Sequence, residues 1–311
     1  MLQQRSKLVI AFALVYVVWG STYLAIRYSI ATIPPFLMVG TRFLIAGAVM
    51  LVWTTARAEK RPTRRQVRNA VVAGVLMLVF GNGGVVWAEQ TVPSGITALI
   101  VAIVPLWLVL LNWARPGGSR PSIGVALGVA VGLFGMLVLV GTDSLRGNGD
   151  VKIWGAVVLM FASMSWAAGT LFARGSDLPA PMMTTAIEML AAGVALLAIG
   201  VLSGELRGFS PAQVSHASAF GLVYLILFGS IVGFSAYSWL VKNATPAAVG
   251  TYAYVNPVVA VFLGWIIAGE VVSARTLAGA AIIVVAVFVV SISTSTHASR
   301  STIRAAVPRR V

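Results

Sequence analysis

The residues best suited to chemistry lie in an apolar stretch that runs from Thr245 to Glu270. Tyr252 and Asn256 are four residues apart, so a phenol and an amide would share one face of a helix. Pro257 follows directly, and a proline inside a helix removes a backbone hydrogen bond and kinks the chain. Lipid would leave that backbone unsatisfied, so we expect a helix broken at this point beside protein or a water-filled cavity. The pattern indicates a solute-binding site.

Other apolar stretches carry polar, aromatic or glycine residues at similar depth. Counting ~1.5 Å per residue from the start of each stretch places them near the centre of a ~30 Å hydrocarbon core. The predicted substrate-binding residues are Trp19, Tyr23, Asn82, Trp87, Trp166, Thr170, Tyr237, Tyr252 and Asn256. The predicted gating positions are Pro105, Pro257, Gly81 and Gly233. Trp19 and Trp166 are either cavity walls or packing residues.

Three charged residues are candidates for a role inside the membrane: Arg42, Glu188 and Glu89. A charge at the bilayer centre costs at least ~2.5–3.5 kcal/mol, so each needs a partner or water. Arg42 and Glu188 form either a structural ion pair or backbone clamp, or handle substrate or protons. Glu89, at the end of its span, is either solvated or a coupling residue.

Composition defines the class of protein. Of 311 residues, 59% are hydrophobic and 10% are charged, far from the balance of a soluble domain. The formal charge of +14 sits mainly in short loops beside apolar stretches, which argues against a nucleic-acid partner. The chain contains no cysteine, which excludes thiolate catalysis and thiolate metal sites. We predict an all-α integral membrane protein.

Ten membrane-spanning helices are predicted. The first five cover residues 8–26, 34–56, 70–89, 93–113 and 121–140, and the second five cover 153–172, 181–202, 217–241, 246–268 and 275–293. The first apolar run is longer than the core of a secretory signal, so it is interpreted as an uncleaved span. The C-terminal tail after His297 is basic and is predicted to be unstructured.

The chain is predicted to be an internal duplication. Four pairs of residues are 152 positions apart, namely Pro105 and Pro257, Trp113 and Trp265, Trp87 and Trp239, and Gly81 and Gly233. The predicted units are residues 1–145 and 146–297, each with five spans, followed by a cytoplasmic tail at 298–311. Because five is odd, the second unit enters the membrane from the opposite side, which gives inverted repeats around a central cavity.

Lys and Arg set the predicted orientation. With both termini inside, sixteen of these residues fall on the inner side and five on the outer side. This asymmetry favours cytoplasmic termini.

Three segments carry a resemblance to a known family. The stretch from Trp19 to Gly47, the turn Ala88–Gly95, and Thr251–Trp265 followed by Gly269 and Glu270 resemble the EamA-type drug/metabolite transporter superfamily, and within it the YedA-like inner-membrane permeases. The resemblance covers about residues 8–295. It implies a multi-pass carrier of the bacterial inner (plasma) membrane, with spans 1, 3, 4, 6, 8 and 9 around the cavity. It also implies export of amino acids, other metabolites or amphipathic toxic compounds.

The leading hypothesis is a secondary exporter of small neutral or zwitterionic metabolites by alternating access, with export of hydrophobic or amphipathic drugs as the alternative. A P-loop is absent from the sequence, so ATP hydrolysis is not expected. A channel and an intramembrane enzyme are minor alternatives, and the chain is predicted not to be an enzyme. No cofactor or metal is expected, and the partners are a small-molecule substrate and the lipid bilayer.

Overall fold

The computed structural model describes residues 2–57, 61–116, 118, 120–141, 152–244 and 251–306. Every regular element in these ranges is a helix, and the helices form ten apolar spans. Eight spans are at least 18 residues long, and two are shorter, Tyr252–Ala268 and Ala274–Val290. The prediction of an all-α membrane protein with ten spans is therefore confirmed.

The first five spans are built from eight helical segments. Span 1 is Leu2–Ser29, span 2 is Pro35–Ala56, span 3 is Arg64–Gly74, Val75–Asn82 and Gly83–Ala88, span 4 is Ser94–Val101 and Val104–Ala114, and span 5 is Ile123–Val140. Pro35 lies at the first position of span 2, where its missing N–H costs nothing. Thr63 and Gln66 cap each other's backbone N–H groups at the start of span 3. These local signals explain why the helices begin where they do.

The second five spans follow the same plan. Span 6 is Ile153–Arg174, span 7 is Pro181–Leu202, span 8 is His216–Tyr224, Leu225–Val232 and Gly233–Asn243, span 9 is Tyr252–Ala268, and span 10 belongs to Ala274–Ala306. Pro181 begins span 7 as Pro35 begins span 2. The predicted start of span 9 at Pro246 lies outside the described residues.

The main helix pairings are the same when the two repeats are exchanged. Span 2 packs on span 7, and span 5 packs on span 10. Span 1 packs on spans 8 and 9, and span 6, its counterpart, packs on spans 3 and 4. Because these main pairings are equivalent in the two repeats, the bundle has an internal twofold relationship, as inverted repeats require.

Small residues allow spans 2 and 7 to approach closely. A Cβ added at Gly193 would lie 2.7 Å from the backbone nitrogen of Leu44, and one at Gly40 would lie 2.8 Å from that of Leu197. Neither distance could be tolerated, so both helices need glycine at this crossing.

Spans 3 and 8 each contain a π-helical segment, Val75–Asn82 and Leu225–Val232. Both segments are eight residues long and sit at equivalent places in the two repeats. A π turn widens the helix and leaves carbonyl groups available to other donors. The sequence did not predict these segments.

The two in-span prolines behave differently. Span 4 is interrupted at Ala102 and Ile103, just before Pro105. Span 9 runs as one helix from Tyr252 to Ala268 with Pro257 inside it. The expected break at Asn256–Pro257 is therefore wrong: the helix continues through Pro257 and loses only the hydrogen bond that an N–H at this position would have made to the preceding turn. The expected unstructured tail is also wrong in part, since the last helix continues to Ala306.

Candidate functional site

A cavity of about 110 Å³ lies between the two repeats. Spans 1, 2, 3, 4, 6, 8 and 9 all contribute to its wall. The lining residues are Trp19, Thr22, Tyr23, Ile26, Arg42, Gly81, Asn82, Val85, Val101, Val104, Ala162, Ser163, Trp166, Phe234, Tyr252 and Asn256. The wall is therefore mainly aromatic and aliphatic, with amide and hydroxyl groups and a single charged residue among these side chains.

Trp19 is held in the wall by the second repeat. Its indole N–H donates to the carbonyl oxygen of Gly229, 3.2 Å away, in the π segment of span 8. Its ring lies 5.1 Å from the ring of Tyr237 and 5.4 Å, edge-on, from that of Tyr252. Rings at these separations attract one another. The π segment thus supplies the carbonyl that orients a cavity side chain.

The equivalent π segment of span 3 is used in a similar way. Ser165 of span 6 donates its hydroxyl to the carbonyl oxygen of Leu76, at 2.8 Å. Trp166, the counterpart of Trp19, covers Gly81, where an added Cβ would lie 3.2 Å from its ring. Each repeat therefore places a tryptophan over a glycine of the other.

Six of the predicted substrate-binding residues lie in the wall: Trp19, Tyr23, Asn82, Trp166, Tyr252 and Asn256. Gly81 and Arg42, predicted for other roles, also line it. Contact of the six predicted substrate-binding residues with a substrate stays a prediction.

Three predicted substrate-binding residues lie outside the wall. Tyr237 is behind it, with its ring packed on Trp19 and Tyr252. Thr170 donates its hydroxyl to the carbonyl oxygen of Trp166 one turn earlier. Trp87 has 38% of its surface exposed on the outside of the bundle. It follows Asn82 by five residues, so the two side chains cannot share one face of a helix.

The predicted gating residues Pro105, Pro257 and Gly233 are not among the lining residues. Gly233 instead lies under the indole of Trp19, with no room for a Cβ. Several lining residues were not predicted, including Thr22, Ser163 and Phe234. The first two are three residues from Trp19 and Trp166, and this spacing could have identified them.

Arg42 does not pair with Glu188. Its Nε donates to the hydroxyl of Ser230 at 2.9 Å, and no carboxylate in the described part of the chain forms an ion pair with it. The backbone of Glu188 packs against Gly74 of span 3, where an added Cβ would be 2.8 Å from the Glu188 Cα. The interpretation as a mutual ion pair is therefore wrong, because the two helix faces point to different neighbours.

An ion pair closes the end of the bundle where span 1 ends. Arg27 pairs with Glu270, which also accepts hydrogen bonds from the Ser94 N–H, the Ser94 hydroxyl and the Gly95 N–H at 2.8, 2.7 and 3.0 Å. This group, which we call the Glu270 clamp, ties spans 1, 4 and 9 together. Partial burial opposes ionisation of Glu270, but the hydrogen bonds and Arg27 outweigh it and hold the pKa of Glu270 below its ordinary value.

Glu89 lies beside the clamp and is buried, with 6% of its surface exposed. It interacts electrostatically with Glu270 and Arg27, yet neither of its carboxylate oxygens has a hydrogen-bond partner. The interpretation of Glu89 as a solvated residue is therefore wrong. An unpaired buried carboxylate is more stable in its neutral form.

Ten apolar spans in two equivalent halves, with a cavity between the halves, define a membrane carrier of the inverted-repeat type. The chain belongs to the EamA-like transporter family, whose family model matches residues 6–141 and 153–292. It is a multi-pass inner-membrane transporter and not an enzyme.

Individual relatives agree with this assignment. The chain is 43% identical to the "Uncharacterized inner membrane transporter YedA" of Escherichia coli K12, over 90% of this chain and 89% of the relative. It is 25% identical to a "Probable amino-acid metabolite efflux pump" of the same organism, over 89% and 92%. A solved structure described as "Crystal structure of protein" has a TM-score of 0.62 at 22% identity, over 92% of this chain and 98% of that chain, and shows the same fold.

Proposed function

We propose that this transporter exports small neutral or zwitterionic metabolites, amino acids or related compounds, by alternating access. The observation that carries the proposal is the cavity between the repeats, with aromatic walls, two amides and one cation. A phosphate ester would need a cluster of cations, and the described wall offers only Arg42. A solute with little or no net charge fits this wall better.

The size of the cavity supports a small substrate. Sites for drug-sized ligands usually enclose ~300–1,000 Å³, whereas this cavity encloses about 110 Å³. A small amino acid therefore suits this conformation better than a drug. The relative described as a probable amino-acid metabolite efflux pump supports the same substrate class.

The Glu270 clamp supports alternating access. It joins three cavity-lining spans at one end, and its groups must separate for a solute to leave there. With both termini in the cytoplasm, as the distribution of Lys and Arg favours, the clamp lies on the outer side. The conformation is then closed toward the outside.

Export of hydrophobic or amphipathic drugs is the second candidate. The tryptophan, tyrosine and phenylalanine side chains of the wall favour it, since such rings also bind apolar solutes. It requires a larger cavity in another conformation.

Flux from proteoliposomes tests the proposal. Purified protein is reconstituted, and counterflow of L-alanine, L-threonine, L-leucine and L-phenylalanine is compared with that of an amphipathic cation. We expect saturable amino-acid flux that Trp19→Ala reduces at least tenfold. Trp53→Ala, which removes a tryptophan that is 51% exposed on span 2, is the matched control and should not reduce flux. Flux of the cation without flux of any amino acid would refute the proposed substrate class.

A further inference from the structure

Arg42 is a buried cation in the cavity wall. Only 3% of its surface is exposed, and its guanidinium lies 5.0 Å from the ring centre of Phe43. Its Nε is used by Ser230, but its Nη1 is buried with no hydrogen-bond partner among the described residues. An arginine stays charged in a protein, so it cannot escape the cost of burial by losing its proton. Such a group is satisfied best by an anion.

No described carboxylate near the bundle interior is paired with Arg42, and this includes the unpaired Glu89 beside the clamp. Glu270 belongs to the clamp with Arg27, and Glu205 accepts from the N–H groups of Phe36 and Leu37 at the start of span 2. Glu188 faces Gly74. None forms an ion pair with Arg42, so the protein itself supplies no described counter-charge for this guanidinium.

Two acceptors line the same cavity. The side-chain oxygens of Asn82 and Asn256 are buried, and neither has a hydrogen-bond partner among the described residues. They come from spans 3 and 9, whereas Arg42 comes from span 2. An amide oxygen without a partner is satisfied by a donor such as an ammonium group. The cavity thus combines one unsatisfied cationic donor with two unsatisfied neutral acceptors.

We propose that Arg42 binds the α-carboxylate of an amino-acid zwitterion and that Asn82 and Asn256 bind its α-ammonium group. The amino-acid side chain then lies among the aromatic residues of the wall, Trp19, Trp166, Phe234 and Tyr252. This assignment rests on the proposed export of small zwitterions and adds the recognition of both charged groups. It predicts selection for the zwitterionic head group and tolerance toward the side chain.

The test compares one amino acid, leucine, with two of its derivatives. L-leucine, L-leucinamide and N-acetyl-L-leucine are used as probes, because the amide lacks the carboxylate and the acetyl compound lacks the ammonium group. Binding to purified protein and competition against leucine counterflow are measured. We expect leucine to bind at least tenfold more tightly than either derivative. Asn82→Ala and Asn256→Ala should reduce the preference over the acetyl compound.

Variants of Arg42 separate recognition from folding. Arg42→Gln should abolish the preference of leucine over leucinamide, and Arg42→Lys should restore part of it. Ser230→Ala also removes the hydrogen bond between Arg42 and Ser230 but keeps the guanidinium. This variant should keep the preference for leucine over leucinamide. Arg57→Gln makes the same charge change at an exposed position directly after span 2, the span that contains Arg42. This variant should behave as the wild type.

The outcomes distinguish this inference from the proposed function. If leucine is transported but binds no better than leucinamide, or if Arg42→Gln keeps the preference, the anchoring role is refuted and amino-acid export stands. If neither leucine nor any other amino acid of the panel binds or moves, both are refuted.

Discussion

The indole of Trp19 covers Gly233 of the opposite repeat so closely that the glycine has no space for a side chain. The same relationship links Trp166 and Gly81, with the roles of the repeats exchanged. Both tryptophans line the cavity, so these contacts join the wall of the cavity to the packing of the two halves.

Gly233→Ala should therefore disturb the bundle. The new methyl group meets the Trp19 indole, and overpacking of this kind typically costs ~1–3 kcal/mol. We expect a lower melting temperature in detergent and reduced flux. Gly124→Ala is the control, because an added Cβ there meets nothing within 4 Å, and alanine favours a helix by up to ~1 kcal/mol over glycine. Equal melting temperatures for the two variants would contradict the close contact.

Glu270→Gln should loosen the end of the bundle that the clamp closes. It removes the ion pair with Arg27 and weakens the cap on Ser94 and Gly95. We expect a cysteine placed at Tyr23, in the cavity wall, to react several-fold faster with a hydrophilic thiol reagent added from that side. Glu205→Gln weakens a similar cap on span 2, away from the cavity, and should leave the reaction rate unchanged. An unchanged reaction rate in Glu270→Gln would mean that the clamp does not close the cavity.

The clamp should also give stability that depends on pH. The pKa of Glu270 is lowered in the folded protein, so its contribution is complete above the ordinary carboxyl pKa of ~4.3 and is lost as pH falls through the folded value. The wild type should melt at a higher temperature than Glu270→Gln from neutral pH down to about pH 5. The difference should shrink below about pH 4. A constant difference across this range would show that the charge of Glu270 contributes nothing.

Glu89→Gln tests proton coupling. Both carboxylate oxygens of Glu89 are buried without a hydrogen bond, so a neutral amide should replace a protonated carboxyl at little cost in stability. We expect an unchanged melting temperature but loss of the response of flux to a pH gradient. Glu205→Gln is the comparison, since Glu205 accepts hydrogen bonds from the N–H groups of Phe36 and Leu37, away from the cavity, and its loss should leave that response unchanged. A pH response that persists in Glu89→Gln would exclude Glu89 as the proton carrier.

The orientation of the termini can be tested on a chain that has no natural cysteine. Ser176→Cys lies between spans 6 and 7, and Ser210→Cys lies between spans 7 and 8. With cytoplasmic termini, a membrane-impermeant thiol reagent on intact cells should label the second variant and not the first. The reverse pattern would place the termini, and the clamp, on the opposite sides.

Much of the fold was predictable, because hydropathy indicates the length of each span and the recurring tryptophan, proline and glycine residues indicate the order of the spans in the two repeats. The ten spans and the two halves follow from these signals, and the in-span side chains at Trp19, Trp166 and Asn256 fall in the cavity wall as their depth indicated.

Rotation about each helix axis was less predictable. In the π segments Val75–Asn82 and Leu225–Val232, each backbone hydrogen bond spans five residues instead of four. The side chains that follow are therefore rotated about the helix axis, and hydropathy does not record this rotation. Trp87 faces outward, and Arg42 and Glu188 face different neighbours, because tertiary packing decides which face of a helix turns inward.

One difference between the repeats has an energetic consequence. Glu270 follows Trp265 by five residues, and the residue five after Trp113, the counterpart of Trp265, is Gly118. Two perfectly matched halves would give the empty carrier two mirror-image resting states of equal free energy. A glycine cannot reproduce the carboxylate bonds of Glu270, so the mirror state lacks them, and the unloaded molecule should spend most of its time sealed at the Arg27 end.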